Sequence, residues 1–98
     1  MYRITNKDLE LAQDRLNKVT GSPLTYFGII SNDKFTINVG HYAIGKAYGA
    51  YNVERTTGAS GGVRELFGHG KRYTKRELHG LIMAYCDGVA HEILEGVN

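Results

Sequence analysis

The residues in this chain best suited to chemistry are cations: Arg64, Lys71, Arg72, Lys75 and Arg76 gather in one stretch with only two carboxylates, Glu65 and Glu77. Positions 64–79 therefore carry a net +3, whereas the whole 98-residue chain carries +2. The positive field is concentrated there, and the remainder is slightly acidic. The run leads into the start of a helix, where unpaired N–H groups and the positive end of the dipole favour a phosphate or carboxylate. Arg72, Tyr73 and Thr74 stand at that start, with Arg64, Lys71 and Arg76 as further phosphate partners and Arg55 as a strand-borne one. His69 lies between two glycines and would complement an anion when protonated. Tyr48 and Tyr73, with Tyr51 and Phe67, offer flat surfaces for stacking a base. A solvated basic face is the plain alternative.

Other chemistries find less support. Gly58-Ala59-Ser60-Gly61-Gly62 matches G-x-S-x-G, but a nucleophile elbow needs a strand feeding directly into a helix within a large parallel sheet. Glycines on both sides predict a loop instead. His79 and His91 are twelve apart, and no histidine or cysteine spacing suits a metal. The lone Cys86 falls on an apolar helix face and reads as a core residue. Glu54, Glu65 and Asp87 belong to different elements, with nothing to pair them for acid–base work. The expectation is binding, with no catalytic residue, no metal and no cofactor.

Periodicity supplies the elements that must position these groups. Thr5 with Asp8 three residues on forms a capping-box variant, Ile4 and Leu9 a hydrophobic staple, and Leu9, Ala12, Leu16 and Val19 a buried stripe. Gly21-Ser22-Pro23 ends that helix. Tyr26 to Val39 alternates as a hairpin turning at Ser31-Asn32-Asp33-Lys34, and 50–56 reads as a third strand. Gly40, Gly45 and Gly49 are expected bends or bulges, with a short edge strand in 63–67. Thr74-Lys75-Arg76-Glu77 is a full capping box opening a second helix whose buried stripe is Leu78, Leu81, Ile82, Tyr85, Val89 and Ile93. Gly80, Ala84 and Gly88 make a second stripe, expected to pack on the protein's own sheet, with a subunit contact as the alternative. The fold class is α+β: a small antiparallel sheet of three to four strands flanked by an N-terminal and a longer C-terminal helix, in one domain spanning 1–98.

Hydrophobic residues at 42% and charged residues at 22% are ordinary for a globular chain. The polar start holds no signal-peptide run, and no stretch approaches a membrane span, so a cytoplasmic protein without membrane contact is expected. A net +2 with ten acidic residues lacks the broad basic stripe of a dedicated nucleic-acid binder.

Several segments together resemble a widespread group of small uncharacterised bacteriophage proteins: Ile4-Thr5-Asn6-Lys7-Asp8-Leu9, Thr20-Gly21-Ser22-Pro23, Ala47-Tyr48-Gly49-Ala50-Tyr51, Glu54-Arg55, Gly61-Gly62-Val63 and Lys75-Arg76-Glu77-Leu78. Ala50 stands where the group usually has glycine. The resemblance carries no catalytic signature. It implies action on host machinery or immunity in an infected bacterial cell, as by compact oligomeric sponges that capture nucleotide-derived immune signals without degrading them. The resulting expectation is sequestration of a phosphate-bearing nucleotide or cyclic nucleotide by a homodimer or higher homo-oligomer. Limited room in so small a domain puts the site near a subunit boundary. The alternatives are docking on a host protein and a minor nucleic-acid-binding role.

Overall fold

The computed structural model describes residues 3–31 and 34–96. Its elements run α1 (Asn6–Thr20), β1 (Phe27–Ser31), β2 (Lys34–Ile37), β3 (Tyr42–Ala47), β4 (Ala50–Thr56), β5 (Val63–Glu65) and α2 (Lys75–Gly96). This is the α+β order expected from the sequence. Both capping boxes form: Asp8 N–H donates to the Thr5 hydroxyl while Thr5 N–H donates to the Asp8 carboxylate, and Thr74 and Glu77 repeat the exchange on α2. Gly21 closes α1 in the left-handed region.

Two details differ from the expectation. The strands form two sheets, a β1–β2 ribbon paired only with itself and a β3–β4–β5 sheet, all antiparallel. Strand β3 falls where glycine had suggested bends. Gly45 sits mid-strand with the Glu54 side chain of the neighbouring strand folded over it, and a Cβ there would make that flexible carboxylate move aside. The hairpin turn residues Asn32 and Asp33 lie outside the described residues, as does the Ile93 side chain.

The helices both pack on one face of the β3–β4–β5 sheet. Ala12 and Leu16 from α1 and Leu78, Ile82 and Cys86 from α2 meet Tyr42 and Val53 in one core. Burial pushes the Cys86 thiol up from its ordinary value. Helix α1 also seals the outer edge of β3 with two amide side chains. Asn17, fully buried, donates to the Tyr42 carbonyl (2.9 Å) and accepts from the Tyr42 N–H (2.8 Å), and Gln13 accepts from the Ile44 N–H (3.0 Å). The amides stand in for a fourth strand and satisfy groups that would otherwise be open to pairing. Arg15 ties the helices together through Asp87 (2.7 Å).

Gly80, Ala84 and Gly88 do not pack on the sheet. All three are exposed, and a Cβ added at either glycine meets nothing within 4 Å. The inward stripe already fills the core side of α2, and four-residue steps from Gly80 land on the opposite side.

Two outcomes follow for stability. Replacing Asn17 by leucine leaves the Tyr42 N–H and carbonyl unpaired, and should cost about 2–4 kcal/mol in denaturant unfolding. Gly80→Ala and Gly88→Ala should each stabilise by about 1 kcal/mol in the same measurement, because the helix gains propensity and nothing is crowded.

Candidate functional site

Strand β4 is the centre of the sheet, and its register against β5 sets like charge opposite like charge twice. Arg55 faces Arg64, and one step along Glu54 faces Glu65. Because side chains alternate, the two arginines lie on the face that carries the helices and the two glutamates on the other. Opposed like charges on adjacent strands are unfavourable.

The arginine side opens into a cleft of about 680 Å³ lined by Tyr42, Arg55, Arg64, Leu66, His69 and Tyr85, with Glu65 and Gly68 completing its rim. Arg55 stacks on the Tyr42 ring, with its guanidinium carbon 5.2 Å from the centroid. Arg64 is exposed and forms no hydrogen bond or ion pair among the described residues. Burial raises the Tyr42 phenol above its ordinary value, with Arg55 opposing. Tyr85 meets Phe67 edge-on at 6.1 Å. The arrangement offers two cationic forks beside the half-buried Tyr85 ring in one open depression, with Tyr42 buried beneath Arg55, which is equipment for a small anion with an aromatic portion.

The glutamate side is organised differently. A smaller cleft of about 200 Å³ runs over Gly45, Ala47, Asn52 and Glu54 to Glu65, His69 and Arg72. Glu65 accepts from the Gly70 N–H (2.7 Å) and from Arg72, with its side chain only 14% exposed. Those donors, the Gly70 amide first, hold the carboxyl below its ordinary value. Buried Asn52 donates to the carbonyls of Gly68 (3.2 Å) and Lys71 (3.0 Å). Tyr73 donates its hydroxyl to the Phe67 carbonyl (2.7 Å) and pairs its backbone with Tyr51. The 66–72 loop is thereby pinned at both ends and in the middle, with Gly68 and Gly70 at positive φ.

The nine residues singled out from sequence do not converge. Arg55, Arg64 and His69 line the larger cleft, and His69 and Arg72 the smaller. Arg72 is engaged by Glu65, and the Thr74 hydroxyl and N–H are both consumed by the Glu77 cap. The Tyr73 N–H donates to the Tyr51 carbonyl (2.8 Å), so the Tyr73 and Thr74 donors expected for a phosphate at the α2 start are already occupied. Lys71 and Arg76 are exposed and line neither cleft. Tyr48 stands at the β3–β4 turn, seven residues along the hairpin from Arg55.

Sequence reading missed Tyr42, which fell in the unrecognised strand, and Tyr85, which was read only as core. It also missed Glu65 as the loop's anchor. An acid and an arginine seven apart around two glycines are the signal that could have revealed it. Ser60 lies in the β4–β5 turn, closed by Gly61 N–H to the Gly58 carbonyl (3.0 Å), not between a strand and a helix. Among the described residues no group of three or more acids, histidines or cysteines could hold a metal, and no helix is long and apolar enough to cross a membrane. No protein-family model matches the chain, and no match is found among curated proteins or solved structures.

The lowered Glu65 carboxyl gives a pH signature. Its stabilising contacts are fully present above the ordinary carboxylate value and are lost as pH falls through the lower, folded value. In an acid titration by amide NMR, the Gly70 N–H resonance should shift with a midpoint below the ordinary carboxylate range. Glu65→Gln should abolish that transition.

Proposed function

We propose that this protein captures a small phosphate-bearing ligand in the Arg55–Arg64 cleft and holds it without converting it. The observation that carries this reading is that Arg55 and Arg64 are register partners whose side chains line one cleft on one sheet face. Like charges on paired positions are unfavourable, and a shared anion would relieve them. Tyr85, half-buried at the cleft, favours a ligand with an aromatic portion, which points to the nucleotide or cyclic-nucleotide class. His69 lines the same cleft, with a ring nitrogen 3.8 Å from the Glu65 carboxylate.

Sequestration is favoured over turnover because the cleft presents binding groups without a nucleophile paired to a base. The phage resemblance adds the biological setting: capture of a nucleotide-derived immune signal inside an infected bacterium. The site has moved relative to the sequence reading, from the opening of α2 to the arginines of β4 and β5. The chemistry of the guest is unchanged.

Thermal-shift screening with inorganic phosphate, ADP, cyclic mononucleotides and cyclic dinucleotides is the direct test, and stabilisation by one of these classes is expected. Ligand recovered intact after heat denaturation marks capture without turnover, whereas indifference to the whole panel would shift the reading to a protein partner. Each charge-assisted contact contributes about 1.5–3 kcal/mol. Replacing Arg55 and Arg64 together by alanine should therefore lower affinity at least about 100-fold by calorimetry. Lys71→Ala, which removes an exposed cation lining neither cleft, should change affinity less than about threefold.

A further inference from the structure

Tyr48 occupies the first central position of the two-residue turn between β3 and β4, with a φ of 54°, followed by Gly49 at 77°. Two successive positive φ values are the type I′ pattern, which suits asparagine, aspartate and glycine and is strained for a bulky side chain. Among the described residues no hydrogen bond or ring contact is made by its side chain. The side chain is 105% exposed, as open as in an extended peptide. The pair that closes the turn is Ala47 and Ala50, so the tip is narrow. A strained, unsupported ring on a slim hairpin is shaped to enter something outside its own subunit.

The Arg55–Arg64 cleft has the matching chemistry. Guanidinium groups are the preferred cations for stacking on a tyrosine face, and Arg55 already stacks in this way on Tyr42. Within one chain the two cannot meet, because seven residues of extended hairpin between Tyr48 and Arg55 span about 23 Å. We propose that the cleft receives Tyr48 from a second copy of this chain, and that the exchange is reciprocal about a two-fold axis. Such self-complementarity is the ordinary geometry of a homodimer. The ligand's part in this proposal rests on the capture reading above: the inserted ring forms the second wall against which a base stacks. Association of the two chains needs no ligand.

Size-exclusion chromatography with light scattering, in phosphate-free buffer over a range of concentrations, tests the association. Wild-type protein should be dimeric, and Tyr48→Ala should be monomeric with an undiminished melting transition in its monomeric form. The Arg55→Ala/Arg64→Ala variant should also be monomeric, since it retains the finger but not the cleft. Mixing the two variants should restore a weakened 1:1 complex, because one intact finger then meets one intact cleft. A monomeric wild type, a Tyr48→Ala variant that stays dimeric, or a mixture that shows no association would each overturn the proposal. ADP affinity should fall about tenfold in Tyr48→Ala, the loss of one stacking surface; unchanged ADP affinity would remove the wall from the proposal. A wild type that dimerises as described but binds no member of the nucleotide panel would instead defeat the capture reading alone.

Discussion

The register of β5 against β4 is the constraint on which the candidate site depends. A slip of one residue would set Arg64 against Glu54, or Glu65 against Arg55, and relieve the like-charge contacts. It would also turn β5 over, so that Leu66, now packed against the core, would point to the other face. Fully burying a leucine contributes about 1.5–3 kcal/mol, Leu66 is buried in part, and the two opposed like-charge pairs together cost about 0.4–2 kcal/mol. Leu66 alone therefore only balances the charges, and further contacts decide the register. Asn52 and the backbone pairing of Tyr51 with Tyr73 reinforce the same register beyond the strand end. The two arginines are thus held together by packing and by these contacts, not by their own preference, and their repulsion remains available to an anion.

The other wall of the cleft depends on how α1 meets the sheet. Asn17 clasps the Tyr42 backbone from the side, which fixes the strand that carries Tyr42 toward the helices. With the outer edge of β3 occupied by side-chain amides, no further strand can add there. Both helices then gather on one face, α1 along the β3 edge and α2 across β4. The end of that face beside Arg55 and Arg64 remains open, walled by Tyr42 and Tyr85. The fold, the sheet edge and the cleft therefore share one set of interactions.

Much of this architecture was legible in the sequence because it is specified locally. Thr5 with Asp8 and Thr74 with Glu77 mark the helix starts within a single turn of chain, and Leu9, Ala12 and Leu16 mark a face by simple spacing. Strand β3 was not legible, because Gly45 and Lys46 break the β pattern and the Glu54 side chain that covers the glycine comes from the neighbouring strand. The outward placement of Gly80, Ala84 and Gly88 was equally hidden: periodicity shows that two stripes exist on α2, but not which one the sheet takes. Of the site, Arg55 and Arg64 were visible as residues, yet their pairing on one face required a register that no local signal supplies.

The cationic stretch before α2 shows why a charge count misplaces a site. Sequence reasoning found five cations, a helix start and a loop rich in glycine, and looked for the anion that would complement them. The protein supplies those anions itself. Glu77 reaches back to the Thr74 N–H and hydroxyl at the helix start, and Glu65 takes the Gly70 N–H and Arg72 in the loop. Both carboxyls are held below their ordinary value by these contacts, with the backbone N–H donor foremost in each. They sit where a bound phosphate was expected, and neither of them neutralises Arg55 or Arg64. These two have no carboxylate partner among the described residues, and they lie on the face opposite Glu54 and Glu65. Internal carboxylates thus engage the helix start and Arg72, while Arg55 and Arg64 share an open cleft whose lining also includes Glu65.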